Sequence, residues 1–158
     1  MDFATAKILL AALEFERVRY VLVGSMAMAV QGIIRATHDI DLFLAPDAEN
    51  VAALRRALQR AFGNDPNIEQ ITSEDLTGDY PAIEYVPPNG EYSLDILSRL
   101  GDAFCYADIE SEEIAIEGIR VRVATPKMLY RMKHRTVRPQ DRIDADALQA
   151  KFHLPEED

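Results

Sequence analysis

The sequence is expected to form an α+β fold: a mixed β-sheet with helices packed on it and a helical segment toward the C-terminal end. Three observations carry that expectation. Between Tyr20 and Phe62 the apolar pattern alternates strand, helix, strand, helix. Pairs of strand-like runs flank Pro87-Pro88-Asn89-Gly90 and Glu117-Gly118, which read as hairpin turns. Thr125-Pro126 then opens a helical stretch, with Thr as N-cap and Pro in the first turn.

Taken in order, Phe3 to Arg17 places Ile8, Leu9, Ala12, Leu13 and Phe15 near the helical period, an amphipathic helix suited to covering a sheet. Tyr20 to Val23 is the first strand, Ser25 to Ile34 the second helix, and Asp39 to Leu44 a second strand that Pro46 ends. From Asp47 to Phe62, Val51, Leu54, Leu58 and Phe62 make one helical face, with Asp47 as N-cap and Gly63 as the stop. Asn64 to Pro81 reads as a loop with one helical turn at Ile68 to Ile71. Ala82 to Val86 and Tyr92 to Leu97 are the first hairpin, and Asp95 interrupts the second of these otherwise half-buried strands. After an irregular or helical stretch from Asp102 to Ile109, Glu113 to Ile116 and Ile119 to Ala124 form the second hairpin. In the helix after Pro126, Met128, Leu129 and Met132 make the buried face and leave Lys133 at its boundary; a last helix follows Arg138.

The 158 residues suit one domain, 1–158, with a helical segment over about 125–152 and an acidic tail at 155–158. A formal charge of −10 argues against a surface that binds nucleic acid all over, because phosphate neutralisation needs clustered Lys and Arg. The segment Lys127 to Arg142 nevertheless holds six basic residues against the single acid Asp141, so a local anion-binding face is available. Cys105 is the only cysteine, which excludes an intrachain disulfide and is expected to be a small buried hydrophobe. The apolar run Ile8 to Leu13 is too short to span a bilayer, and Asp2 and Glu14 flank it where a secretion signal has basic residues and a cleavage site. A soluble cytoplasmic protein with no membrane partner is expected; the oligomeric state stays open.

The chemistry concentrates in Tyr20 to Leu44. On a strand, Asp39 and Asp41 share one side while Ile40, Leu42 and Leu44 take the other. Two adjacent carboxylates are costly without a cation, and such hard oxygen ligands suit Mg²⁺ with bound phosphates. Gly24-Ser25 stands where a helix begins, so backbone N–H groups and the Ser25 hydroxyl can converge on an anion. An anion site beside a metal site suggests a nucleoside triphosphate.

Gly24-Ser25, a gap of thirteen residues, then Asp39-Ile40-Asp41 resembles the signature of the polymerase-beta-like nucleotidyltransferase superfamily. Gly32, Arg35 and Thr37, with the later order Lys133, Arg138, Asp141-x-x-Asp144, look like the branch of nucleotidyltransferase toxins from abortive-infection toxin–antitoxin pairs. The likeness covers about Val18 to Leu148, with one departure: that branch often has His before the glycine, and this chain has Gln31. The resemblance implies a polymerase-beta-like fold and transfer of a nucleoside monophosphate from an NTP to an acceptor hydroxyl, releasing pyrophosphate. It implies Asp39, Asp41 and Asp95 as catalytic ligands of two Mg²⁺ ions, with Mn²⁺ as an alternative. Gly24, Ser25, Arg35, Thr37 and Lys133 would bind the nucleotide.

The acceptor stays open between RNA, particularly tRNA, and a protein hydroxyl, with a cognate antitoxin as partner. A small-molecule acceptor of the antibiotic-modifying kind is the enzymatic alternative, and a binding protein that keeps the fold without turnover is the other. Lys133 reads either as a snorkelling surface lysine or as a triphosphate contact. Asp141 and Asp144 are expected to orient it. His38, His134 and His153 lack metal-ligand spacing.

Overall fold

The computed structural model describes residues 3–88, 90 and 92–156. Its elements are α1 (Phe3–Phe15), β1 (Tyr20–Val23), α2 (Gly24–Val30), β2 (Asp39–Leu44), α3 (Ala48–Phe62), α4 (Pro66–Glu69), α5 (Glu74–Thr77), β3 (Ala82–Tyr85), β4 (Ser93–Leu97), β5 (Arg99–Leu100), β6 (Phe104–Cys105), β7 (Ser111–Ile116), β8 (Ile119–Ala124), α6 (Pro126–Lys133) and α7 (Pro139–Phe152). Six strands form a sheet in the order β3-β4-β2-β1-β8-β7. β4 with β2 and β1 with β8 run parallel, and the other three neighbouring pairs are antiparallel, so the sheet is mixed as expected. β5 and β6 make a separate two-stranded ribbon.

The central strand β1 is buried at all four positions, which its run Tyr-Val-Leu-Val allows without an alternating polar face. α1 packs against α3 and β8, α2 against β1 and β2, and α6 against α7. In α1 the buried stripe is Ala6, Leu9, Leu10 and Leu13, a clean i, i+3, i+4, i+7 set. Ile8 and Phe15, expected on that face, are 62% and 66% exposed; Phe15 instead lies under the Arg60 guanidinium, 3.7 Å from its centroid.

Four further expectations are corrected. The second helix ends at Val30 rather than Ile34: Gly32 takes φ +90, and the Gln31 side chain turns to donate to Glu112 Oε1 (2.9 Å) and the Ala124 carbonyl (3.1 Å). The 64–81 stretch contains two short helices, α4 and α5, instead of one turn, because the Asp65 carboxylate caps the first at the Asn67 N–H and Pro66 sits at its start. The helical or irregular stretch from Asp102 to Ile109 does hold a 3-10 turn, Tyr106–Asp108, but before it comes β6, paired with β5, and there Cys105 is exposed rather than buried. Met132 is only partly buried, while Tyr130 and Lys133 are buried in α6. The hairpin residue Asn89 and the tail residues Glu157 and Asp158 lie outside the described residues, as does Asp2. Among the described residues no helix is long and apolar enough to cross a membrane.

The frame behind the site is pinned by Asn50. Its Oδ1 accepts from the Arg19 N–H (2.8 Å), and its Nδ2 donates to the Arg19 carbonyl (2.9 Å) and the Ala45 carbonyl (2.8 Å), joining the start of β1 and the end of β2 to α3. Asn50 is itself buried, so truncating it leaves backbone groups without partners. Asn50→Ala is expected to lower unfolding free energy by about 2 kcal/mol, measured by urea titration, and a change indistinguishable from zero would remove Asn50 from this role.

Candidate active site

Strand register assembles the carboxylates. β2 and β4 are parallel neighbours with Asp41 opposite Asp95 and Asp39 opposite Ser93, while antiparallel β1 brings Val23 opposite Asp41. Asp39, Asp41 and Asp95 therefore share one face of the sheet, and Gly24 follows directly beside Asp41. A Cβ on Gly24 would stand 2.1 Å from Asp41 Oδ2, and the residue holds φ +69, so only glycine fits the turn that starts α2.

A cleft of about 350 Å³ opens over these groups, lined by all eight residues singled out from the sequence: Gly24, Ser25, Arg35, Thr37, Asp39, Asp41, Asp95 and Lys133. They reach it from five segments: the start of α2, the loop before β2, β2, β4 and the end of α6. Thr37 braces the start of β2, its hydroxyl donating to the Asp39 carbonyl (3.0 Å) and accepting from the Asp39 N–H (3.2 Å). The Ser93 hydroxyl donates to Asp39 Oδ1 (2.5 Å), fixing that carboxylate from the neighbouring strand. Sequence reasoning missed Arg138, Leu97 and Leu100 as lining residues. Arg138 was visible as a cation in the basic segment, but nothing in the pattern showed that the α6–α7 turn folds back over the sheet.

The cations are held by buried pairing. Lys133 Nζ donates to Asp144 Oδ2 (2.8 Å) and Asp141 Oδ1 (3.2 Å), and Arg35 Nη1 also bonds Asp144 Oδ2. Gln140 Nε2 donates to Asp144 Oδ1 (3.1 Å) and the Thr136 hydroxyl to Asp141 Oδ2 (2.8 Å), so both acids are satisfied. Lys133 is thus no boundary lysine. It is buried because α7 supplies two carboxylates for it, a contact between segments that helical periodicity does not encode. The Arg138 guanidinium has no hydrogen bond or ion pair among the described residues and remains the available cation in the cleft.

The carboxylates, by contrast, lack compensation. Burial, then Asp95 and Asp39, push the Asp41 carboxyl up to about 6, with Lys133 and Arg35 opposing at a distance. Asp95 is also raised, by burial and then by Asp39 and Glu84. A site short of positive charge, made of hard oxygen donors, fits a divalent cation. Among the described residues no group of three or more His, Cys, Asp or Glu forms a ready-made metal shell. Mg²⁺ binds through one or two carboxylates and keeps waters and substrate phosphates as its other ligands.

Solved structures share this fold. A protein of Thermotoga maritima provisionally assigned as a nucleotidyltransferase matches with a TM-score of 0.59 at 18% identity, over 96% of this chain and 91% of its own. An antigenic nucleotidyltransferase-like protein from Paracoccidioides brasiliensis matches at 0.57 and 17% identity, over 93% and 75%. ANT(2″)-Ia, solved in complex with adenylyl-2″-tobramycin, matches at 0.55 and 17% identity, over 96% and 90%. The fold is that of the nucleotidyltransferases. No protein-family model and no curated protein matches the chain by sequence. In this nucleotidyltransferase fold the cleft occupies the face where β1, β2 and β4 present Gly24, Asp39, Asp41 and Asp95.

Two measurements test this electrostatic layout. Asp41 holds its proton up to about pH 6 when folded and to 3.8 as a free side chain, so its charge opposes folding fully above pH 6 and not at all below 3.8. Asp41→Asn is therefore expected to melt several degrees higher than wild type at pH 8 without divalent metal, the gain shrinking through pH 6 to 4 and vanishing near pH 3. A gain independent of pH would contradict the charge account. Lys133→Met takes one of two cations from the buried Asp144 and the only ion-pair partner from Asp141 among the described residues, and is expected to cost about 3 kcal/mol, whereas Arg138→Ala should leave denaturant stability within about 0.5 kcal/mol of wild type; equal losses would break the division of roles.

Proposed function

We propose that the protein is a metal-dependent nucleotidyltransferase that moves a nucleoside monophosphate from an NTP to an acceptor hydroxyl and releases pyrophosphate. The observation that supports it is the convergence of Gly24-Ser25 with Asp39, Asp41 and Asp95 in one cleft whose carboxylates lack compensating charge. Asp39, Asp41 and Asp95 would hold Mg²⁺, or Mn²⁺ in its place. Bound there, the metal supplies neutralisation of phosphate charge and lowers the pKa of the acceptor hydroxyl.

The chain's own groups bind and orient. Ser25 and the amides of its turn hold phosphate oxygens, and Gly24 lets them approach Asp41. Arg138 meets the charge that grows on the departing pyrophosphate, since Lys133 and Arg35 are engaged with Asp144. Their part is to fix the cleft wall and lend it positive potential. In the transfer the acceptor oxygen bonds the α-phosphorus, the bond from that phosphorus to the pyrophosphate oxygen breaks, and the hydroxyl proton passes to solvent.

The likeness to abortive-infection toxins points to an RNA end, tRNA above all, or a protein hydroxyl as acceptor, and to a cognate antitoxin. A small-molecule acceptor is the second reading. It is favoured by the scarcity of unengaged cations in the cleft, because Lys127, Arg131, Arg135 and Arg142 are exposed outside it. The adenylyl-2″-tobramycin held by ANT(2″)-Ia is consistent with it.

Incubation with Mg²⁺, each α-labelled NTP and total RNA, cell lysate or an aminoglycoside panel should give a labelled RNA, protein or small-molecule product. Asp39→Ala and Asp41→Ala should fold and lose at least roughly 100-fold in rate. Full turnover by both variants would sink the assignment.

A further inference from the structure

We propose that the open edge of β3 is a docking site for an extended, Lys- or Arg-rich peptide, which adds to the sheet as a seventh strand. The hydrogen-bond phase of the edge follows from its register. β3 and β4 pair with Ala82 opposite Leu97 and Glu84 opposite Asp95, and the Ser98 N–H donates to the Pro81 carbonyl (3.3 Å). Antiparallel pairs alternate between bonded and non-bonded, so Pro81/Ser98, Ile83/Ile96 and Tyr85/Leu94 are the bonded pairs. Ala82, Glu84 and Val86 consequently turn their backbone groups away from β4. The Ala82 N–H is taken by the Tyr80 carbonyl (2.8 Å). The Ala82 carbonyl, both Glu84 groups and the Val86 N–H thus face the open edge of the sheet, two donors and two acceptors spaced for a short added strand.

The edge faces room rather than a covering element. A groove of about 620 Å³ lies between β3 and the α4–α5 segment, with Glu74, Asp75 and Glu84 among its walls and no Lys or Arg. Tyr80, also on its wall, is 91% exposed. Charge names the occupant. Glu84 stands opposite Asp95 in a non-bonded pair, the closer of the two antiparallel arrangements, where like charges destabilise. It has no ion pair among the described residues, and a cationic side chain from an added strand would relieve it. An acidic or neutral peptide would meet the same backbone without that gain.

The test uses the full chain and a capped heptapeptide of alternating Lys and Val, followed by amide hydrogen exchange. Binding should slow exchange at Glu84 and Val86 at least tenfold, while Ile83 and Tyr85, already paired with β4, change little. Glu84→Gln should weaken binding several-fold, and the same peptide N-methylated at every residue, with its charge intact, should bind at least tenfold more weakly. Asp39→Ala should bind like wild type, which separates this site from the transferase reading. Equal binding of the N-methylated peptide, binding without protection of Glu84 and Val86, or no binding at millimolar peptide would overturn the proposal.

Discussion

The structure depends on a like-charge contact that its own hydrogen bonding enforces. Parallel pairing of β2 with β4 places Asp95 opposite Asp41, and the two-residue period of a strand puts Asp39 on the same face. Neither strand can slip by one residue to escape, because the slip would expose Ile40, Leu42, Leu94 and Ile96, all fully buried. The apolar core thus holds the acids together. Their repulsion is the reason the cleft can be expected to bind cations with phosphates rather than simply line solvent.

Around that contact the basic groups are distributed with a clear division. Lys133 and Arg35 converge on Asp144, an acid buried in α7, so the C-terminal helices are bound to the loop before β2 by charge as well as by packing. Removing either cation would leave the buried Asp144 with only one of its two compensating charges, a larger loss than a surface pair would cause. Positive potential still reaches Asp41 from both residues. In the proposed reaction, direct contact with a substrate anion falls instead to Arg138 and to the turn at Gly24-Ser25.

Much of this was legible in the residues. Local signals placed β1, β2 and α3 closely: an unbroken apolar run, an acid-apolar alternation, and an Asp cap with a terminal glycine. Asp39, Asp41 and the Gly-Ser turn were readable as one site because a strand, a turn and a strand stand close in sequence, and Asp95, an acid in an apolar strand, joined them through the resemblance to the superfamily. What periodicity could not show came from distant partners. Lys133 is buried only because Asp141 and Asp144 arrive from another helix, and Arg138 faces the cleft only because the α6–α7 turn returns over the sheet. Ile8 looked like core and is not, since the stripe that packs is set by α3 and β8 rather than by hydrophobicity alone. Cys105 was misjudged for the same reason: it sits on a short ribbon with little to cover it.

The central claim is that the carboxylate cleft, and not the acidic surface at large, is where a divalent cation and a nucleotide meet. Titrating Mn²⁺ into isotope-labelled protein with a non-hydrolysable NTP analogue tests it directly through paramagnetic broadening of amide signals. The account predicts early broadening at Gly24, Ser25, Asp39 to Asp41 and Asp95, deepened by the analogue. Broadening that begins at Glu74 and Asp75, or that ignores the analogue, would contradict it.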